Sequence, residues 1–191
     1  MSTARYYEVY KASYRLGMQD PLMLAGPKRF HNSIFVVTNA DGSGWIHHVV
    51  GDLVSGCRYE RKKGRAPQDS DSHEISIPLG RVRVEDYPQA SENIMMTVPP
   101  PPRQRMFNPA TYTTMPCKPD GTFYKAHETP IPYWKYTEWT EQKAIPALLQ
   151  SGLIHPSGAE TQASSAAAAP STDDWVWDQD RGQYRHWDGN S

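Results

Sequence analysis

HNSIFVVTNADGSGWIHHVVGD, residues 31–52, is the stretch whose reading decides the fold. Apolar residues gather on both sides of Asp41-Gly42. That dipeptide is a strong hairpin signal, because a two-residue type I′ turn needs φ > 0 at both central positions. The stretch therefore predicts two antiparallel strands. With Asp41 and Gly42 at the tip, Ala40 pairs with Ser43, Val37 faces Ile46, Phe35 faces His48 and His31 faces Asp52. A one-residue bulge would turn every side chain to the opposite face. In this register an imidazole stands at a strand mouth opposite a carboxylate.

Upstream, RYYEVYKAS (residues 5–13) is rich in Tyr and Val and suits a strand, and a loop with Pro21, Gly26 and Pro27 links it to the hairpin. Downstream, Arg58, Arg61, Lys62, Lys63 and Arg65 make a basic run, expected as a solvated loop. Alternation through Ile75, Ile77 and Leu79, then Val82 and Val84, predicts a half-buried strand. Pro78 within it points to a sheet edge or an interruption. Residues 85–98 suit a short helix, and PPPP at 99–102 a stiff extended segment. Residues 103–133 read as irregular.

TEWTEQKAIPALLQSGLI, starting at Thr137, is the best helix in the chain. Ala144, Ile145, Leu148, Leu149 and Leu153 share one broad face, and Gly152 suits the C-terminal cap. Pro146 is expected to kink or break it. After Ile154 the composition turns small and polar, predicting a flexible linker over 156–172. An aromatic tail over 173–191 carries Trp175, Trp177, Tyr184 and Trp187, with five Asp against two Arg, and is able to close as a miniature hairpin. The expected organisation is one α+β domain over 1–155, a small antiparallel sheet with a C-terminal helix packed on it, followed by linker and tail.

The 191 residues carry a formal charge of −1, so no global field draws the chain to nucleic acid or an anionic membrane. Cys57 and Cys117 are the two cysteines, too few for a disulfide framework. The first residues, MSTARYYEVY, lack the apolar core of a signal peptide, and no apolar run reaches the roughly 20 residues of a membrane span. A soluble cytoplasmic protein is the expectation, with a protein or small-molecule partner.

Several residues carry potential chemistry. His31 with Asp52 makes an oriented base of the kind used in triads. Cys117 has Lys118 beside it, and a neighbouring cation lowers a thiol pKa. His47 and His48 are strand neighbours that point to opposite faces, so they do not share a metal ion readily. The expected register leaves His31 several residues from both. No Cys-x-x-Cys or His-Glu-x-x-His spacing occurs and no Gly-rich phosphate loop, so no cofactor and no metal is expected. PPPPRQR has the spacing of a PxxP ligand without the usual flanking charge. The acidic tail is expected to dock on the basic run or on a partner.

RFHNSIFVV, HHVVGDLVSGCRYE, IPLGRV and YTEWTEQKAIPALLQSGLI, taken together, resemble a group of small fungal proteins of unknown function that look like circularly permuted NlpC-type or lecithin-retinol-acyltransferase-like papain-fold domains. In the permuted arrangement the His strand precedes the nucleophile's helix. That helix often opens with Cys, two residues, then Trp; the matched position here is Tyr136, in YTEW. The resemblance implies a permuted papain-like fold with the nucleophile lost, since a phenol with an ordinary pKa of about 10 does not replace a thiolate. It further implies a non-catalytic interaction or ligand-binding protein, with a degenerate cleft among His31, Asp52, Tyr136 and Trp139. The alternative is a thiol-dependent hydrolase or acyltransferase using His31, Asp52 and a cysteine such as Cys117. A third reading is binding mainly through Trp175, Trp177, Tyr184 and Trp187.

Overall fold

The computed structural model of the chain describes residues 5–18, 21–23 and 28–156, together with the backbone of two short strands at 175–178 and 183–186. The chain divides into two units, Met1–Ser157 and Gly158–Ser191. The first is α+β. Its sheet has five antiparallel strands: β1 (Tyr6–Arg15), β2 (Phe30–Val37), β3 (Gly44–Asp52), β4 (Gly56–Gly64) and β5 (His73–Arg83), in the order β4-β3-β2-β1-β5. A helix α1 (Gln89–Thr97) and a small hairpin, β6 (Arg105–Asn108) with β7 (Thr113–Pro116), come next. The second unit contains β8 (Trp175–Asp178) paired antiparallel with β9 (Gln183–His186), the miniature hairpin expected of the tail. The linker expected over 156–172 falls almost wholly outside the described residues, as do the side chains of the tail.

The hairpin is present but two residues out of the expected register. Val37 pairs with Gly44, Phe35 with Ile46 and Ile34 with His47. Asp41 is the reason. Its carboxylate accepts hydrogen bonds from the Ser43 N–H at 2.9 Å and from the Ser43 hydroxyl at 2.6 Å. That local turn holds Asp41 at negative φ and leaves Gly42 alone in the left-handed region, φ +80. A type I′ turn is thereby excluded. The Thr38 and Asn39 N–H groups both donate to Ser43 O, and the connection spans residues 38–43 instead of 41–42. A slip of two keeps each side chain on its expected face. It changes which residues are neighbours.

Pro78 sits in β5, an edge strand, where its missing N–H costs no ladder bond. β5 stays unbroken. Next to Gly80 its free side is held by a reciprocal backbone pair, Arg81 N–H to His155 O (2.8 Å) and His155 N–H to Arg81 O (2.7 Å). Four of the five basic residues lie in β4 and not in a loop, with Arg65 just past its end, so Arg58 and Lys62 face one way and Arg61 and Lys63 the other. Arg61 lies over the Trp45 ring at 4.5 Å and bonds Glu92 of α1 at 2.9 Å. PPPP is part of the scaffold: Pro101 is fully buried and its carbonyl accepts the Cys57 N–H at 2.8 Å. A segment docked in this way is not presented as a PxxP ligand.

The closing helix, 136–150, runs without a break as α2 (Tyr136–Trp139), a π-helical stretch (Thr140–Ala144) and α3 (Ile145–Gln150). Pro146 does not end it. The widened turn just ahead, with Ile145 N–H reaching Thr140 O, relieves the contact of the proline ring with the preceding turn. It also rotates α3, so Ala144 and Leu148 are buried while Leu149 is 49% exposed, contrary to the single face expected. Gly152 ends the segment at φ +74. Trp139, Ala144 and Leu148 join Val9, Ile34, Val36, Val49 and Val82 in one core.

Candidate functional site

The site lies where the start of the closing helix meets the start of β2. Several polar contacts fix this crossing. Thr137 donates to Phe30 O (3.2 Å) and Thr140 to Asn32 O (3.2 Å), while Lys11 and Asn32 both reach Glu141 (2.7 and 3.1 Å). Glu138 caps the first turn by accepting the Lys135 N–H at 2.9 Å and pairs with Arg29 at 2.6 Å. Burial pushes the Glu138 carboxyl up, but these donors outweigh it and hold its pKa below the ordinary value.

Because of that crossing, the Tyr136 ring lies against His31, with centroids 4.8 Å apart and planes tilted by 53°. Lys135 stands over the same phenol ring at 5.3 Å. His31 Nε2 is 2.8 Å from His48 Nδ1, and His48 Nε2 is 3.4 Å from Glu60 Oε1. The register explains the contact. Continuing the ladder beyond Ile34 and His47 sets His48 opposite Ser33, which makes His31 its same-face diagonal neighbour. In the expected register the two lay four residues apart, so the sequence missed this pair.

The protons in this chain follow from chemistry. A carboxylate only accepts, so the Nε2 of His48 carries the hydrogen toward Glu60. In the neutral ring His48 Nδ1 is then an acceptor, and His31 donates to it from Nε2. His31 Nδ1 is left with a lone pair and, among the described residues, no hydrogen-bond partner. Burial, then the positive charges of His48, Lys62 and Lys135, lower the His31 pKa from 6.5 to about 4. Burial and Lys62 lower that of His48, with Glu60 working against them. Both rings are neutral at pH 7.

Asp52 does not pair with His31. Its carboxylate accepts the N–H groups of Val54 (2.8 Å) and Ser55 (2.7 Å) and the Ser55 hydroxyl (2.9 Å), closing the β3–β4 turn. These bonds hold its pKa below the ordinary value. Trp139 also leaves the expected cleft. It is fully buried in the core, its Nε1 aimed at Val98 O (3.4 Å) and its ring 6.1 Å from Tyr59. Of the four expected cleft residues, His31 and Tyr136 come together.

Neither thiol is activated. Cys117 is buried and bridged through its backbone to Phe123, and Cys57 is half-buried in β4; burial pushes both thiols up. The sequence also missed His47. Buried on the other face of β3, it spans two phenols, Nδ1 to Tyr59 OH at 2.6 Å and Nε2 to Tyr87 OH at 2.9 Å. Burial, with Arg61 and His48 adding to it, lowers its pKa to about 3. No group of three or more His, Cys, Asp or Glu placed to hold a metal ion occurs among the described residues. No helix of the described residues is long and apolar enough to cross a membrane. A hollow of about 510 Å³ is lined by Pro132, Tyr133, Trp134, Glu138, Gln142 and Lys143 and contains neither His nor Cys.

A family model described as "Family of unknown function (DUF6540)" matches residues 22–155, from the loop before β2 to the residue that pins β5. No curated protein and no solved structure matches the chain.

Proposed function

The chain belongs to the family of unknown function DUF6540, and from that premise we propose that it is a non-catalytic ligand-binding or interaction protein, a permuted papain-like domain whose cleft has lost its nucleophile. The observation that carries this is the contact of Tyr136 with His31. The helix start supplies a phenol to the imidazole, in the place where the resemblance puts sulfur. Phenols are poor nucleophiles toward acyl carbon near neutral pH, and both thiols of the chain are pushed away from the thiolate form. His31 is an oriented, neutral acceptor with no acidic group to activate.

Alkylation with iodoacetamide at pH 7 tests the proposal. Cys57 and Cys117 should react slowly, and the protein should show no cysteine-dependent hydrolysis of p-nitrophenyl acetate. In Tyr136→Cys the new thiol should react well ahead of the other two, because it meets His31. Hydrolysis by the natural chain that disappears in Cys57→Ser or Cys117→Ser would establish the thiol-hydrolase alternative and overturn this one.

A further inference from the structure

On the face of the sheet that carries His31 and His48 lies a cavity of about 280 Å³, lined by Tyr14, Arg15, His31, Ile46, His48, Lys62 and Ser72. Four strands of the five-stranded sheet, β1 to β4, contribute, as does Ser72 in the segment leading into β5. We propose that this cavity binds a small oxyanion, a carboxylate or a sulfate- or phosphate-like group, and takes up one proton with it. This rests on the ligand-binding function proposed for the domain and names the ligand class.

Three features support it. First, the charges at the cavity do not cancel. Arg15 is engaged by Asp71 O and Glu74, and Glu60 by Arg58 and His48, but Lys62 has no ion pair among the described residues. Lys135 adds positive charge from the helix start beside Tyr136. Second, the neutral donors point the same way. Ser72 contributes a hydroxyl, now 2.9 Å from that of Ser70, and Tyr14, hydrogen-bonded with Ser33, a phenol whose pKa burial raises, so it keeps its hydrogen. Third, the imidazole pair has room for one more hydrogen. Glu60 fixes His48 as a donor at Nε2, and His48 fixes His31 as a donor at Nε2, so the added proton goes to His31 Nδ1, which otherwise has no described partner. The cation so formed donates to the anion through Nδ1 and still donates to His48 through Nε2. The proton comes from solvent and no covalent bond to the ligand forms. Burial and the surrounding positive charge oppose protonation while the cavity holds no anion, and an incoming negative charge reverses that balance.

The probe is sodium sulfate or sodium acetate, titrated at pH 6 into the full chain with sodium chloride holding ionic strength constant. The readout is the NMR signals of the imidazole carbons. One or both anions should shift the His31 and His48 signals saturably and raise the His31 titration midpoint from about 4 to above 6, so that the bound state carries the added proton at the pH of the titration. Sulfate alone identifies a tetrahedral group, acetate alone a carboxylate. Lys62→Gln should weaken binding roughly threefold to fivefold, the range of one exposed ion pair. Lys63→Gln, on the opposite face of β4 beside Trp45, should leave it unchanged. Shifts that grow linearly without saturation, that are absent, or that are equal in both variants overturn the proposal. Thiol-dependent hydrolysis together with saturable anion binding would sink the non-catalytic function alone; slow thiols without anion binding would sink this inference alone.

Discussion

His31 Nε2 lies 2.8 Å from His48 Nδ1, so a single hydrogen is shared between two rings on neighbouring strands. Two nitrogens that close cannot both be protonated, and each ring therefore dictates the state of the other.

Replacing His48 by Phe should free His31. The positive charge of His48 is one cause of the low His31 pKa, second to burial. In His48→Phe the His31 midpoint should move upward from about 4 toward 6.5, read by NMR. An unchanged midpoint would mean that the rings do not interact.

His47 should make the fold acid-sensitive. Its pKa is about 3 in the folded chain against an ordinary 6.5, so the unfolded chain binds the extra proton between these values. The stability it contributes is complete above about 6.5 and falls as pH drops toward 3, by up to about 1.4 kcal/mol per pH unit. Urea midpoints should decline between pH 7 and 4.5, and His47→Phe should flatten the decline. His47→Phe should also cost about 1–3 kcal/mol at pH 7, because the Tyr59 and Tyr87 hydroxyls lose their partner.

Tyr136→Ala should destabilise the domain by about 3 kcal/mol or more, since the ring packs both on His31 and in the core. It should also let water onto His31 and raise its pKa. Thermal unfolding and a His31 titration separate the two effects, and a loss within about 0.5 kcal/mol, the scale of ordinary surface changes, would show that the ring does not close this groove.

Gly80 and Gly152 offer a paired comparison. Both have positive φ, +133 and +74. A Cβ on Gly80 would come within 2.4 Å of His155 O, whereas one on Gly152 meets nothing within 4 Å. Gly152→Ala should cost about 1 kcal/mol, the left-handed penalty alone. Gly80→Ala should cost clearly more, because it displaces His155 from β5. Equal urea midpoints would contradict the docking of 154–155.

Much of the architecture is legible in the sequence, and the reason is periodicity. The apolar runs flanking Asp41-Gly42, the alternation through Ile75, Ile77, Leu79 and Val82, and the apolar residues after Thr137 locate the elements, although Ile75 and Leu149 are half exposed. Single side chains decide the rest. Asp41 takes a local bond to Ser43 over a type I′ turn, and that choice moves His48 into reach of His31 and takes Asp52 out of it. Pro146 reads as a breaker because sequence does not show a π-helical turn ahead of it. The resemblance sets His31 across a cleft from the helix start at Tyr136; the two rings lie 4.8 Å apart. The Tyr59–His47–Tyr87 bridge has no local signal, because Tyr87 arrives from forty residues away.

The polyproline segment bears on how the molecule meets others. Its carbonyl at Pro101 caps the first donor of β4, and the rest of that strand presents Arg and Lys. At the far rim, Pro78 withholds a donor and His155 occupies the neighbouring positions. The five-stranded ribbon is thus terminated on both flanks, which discourages templated growth or the capture of a stray extended peptide. What the capped borders leave open are the broad faces of the ribbon, one carrying His31 and His48 and the other His47.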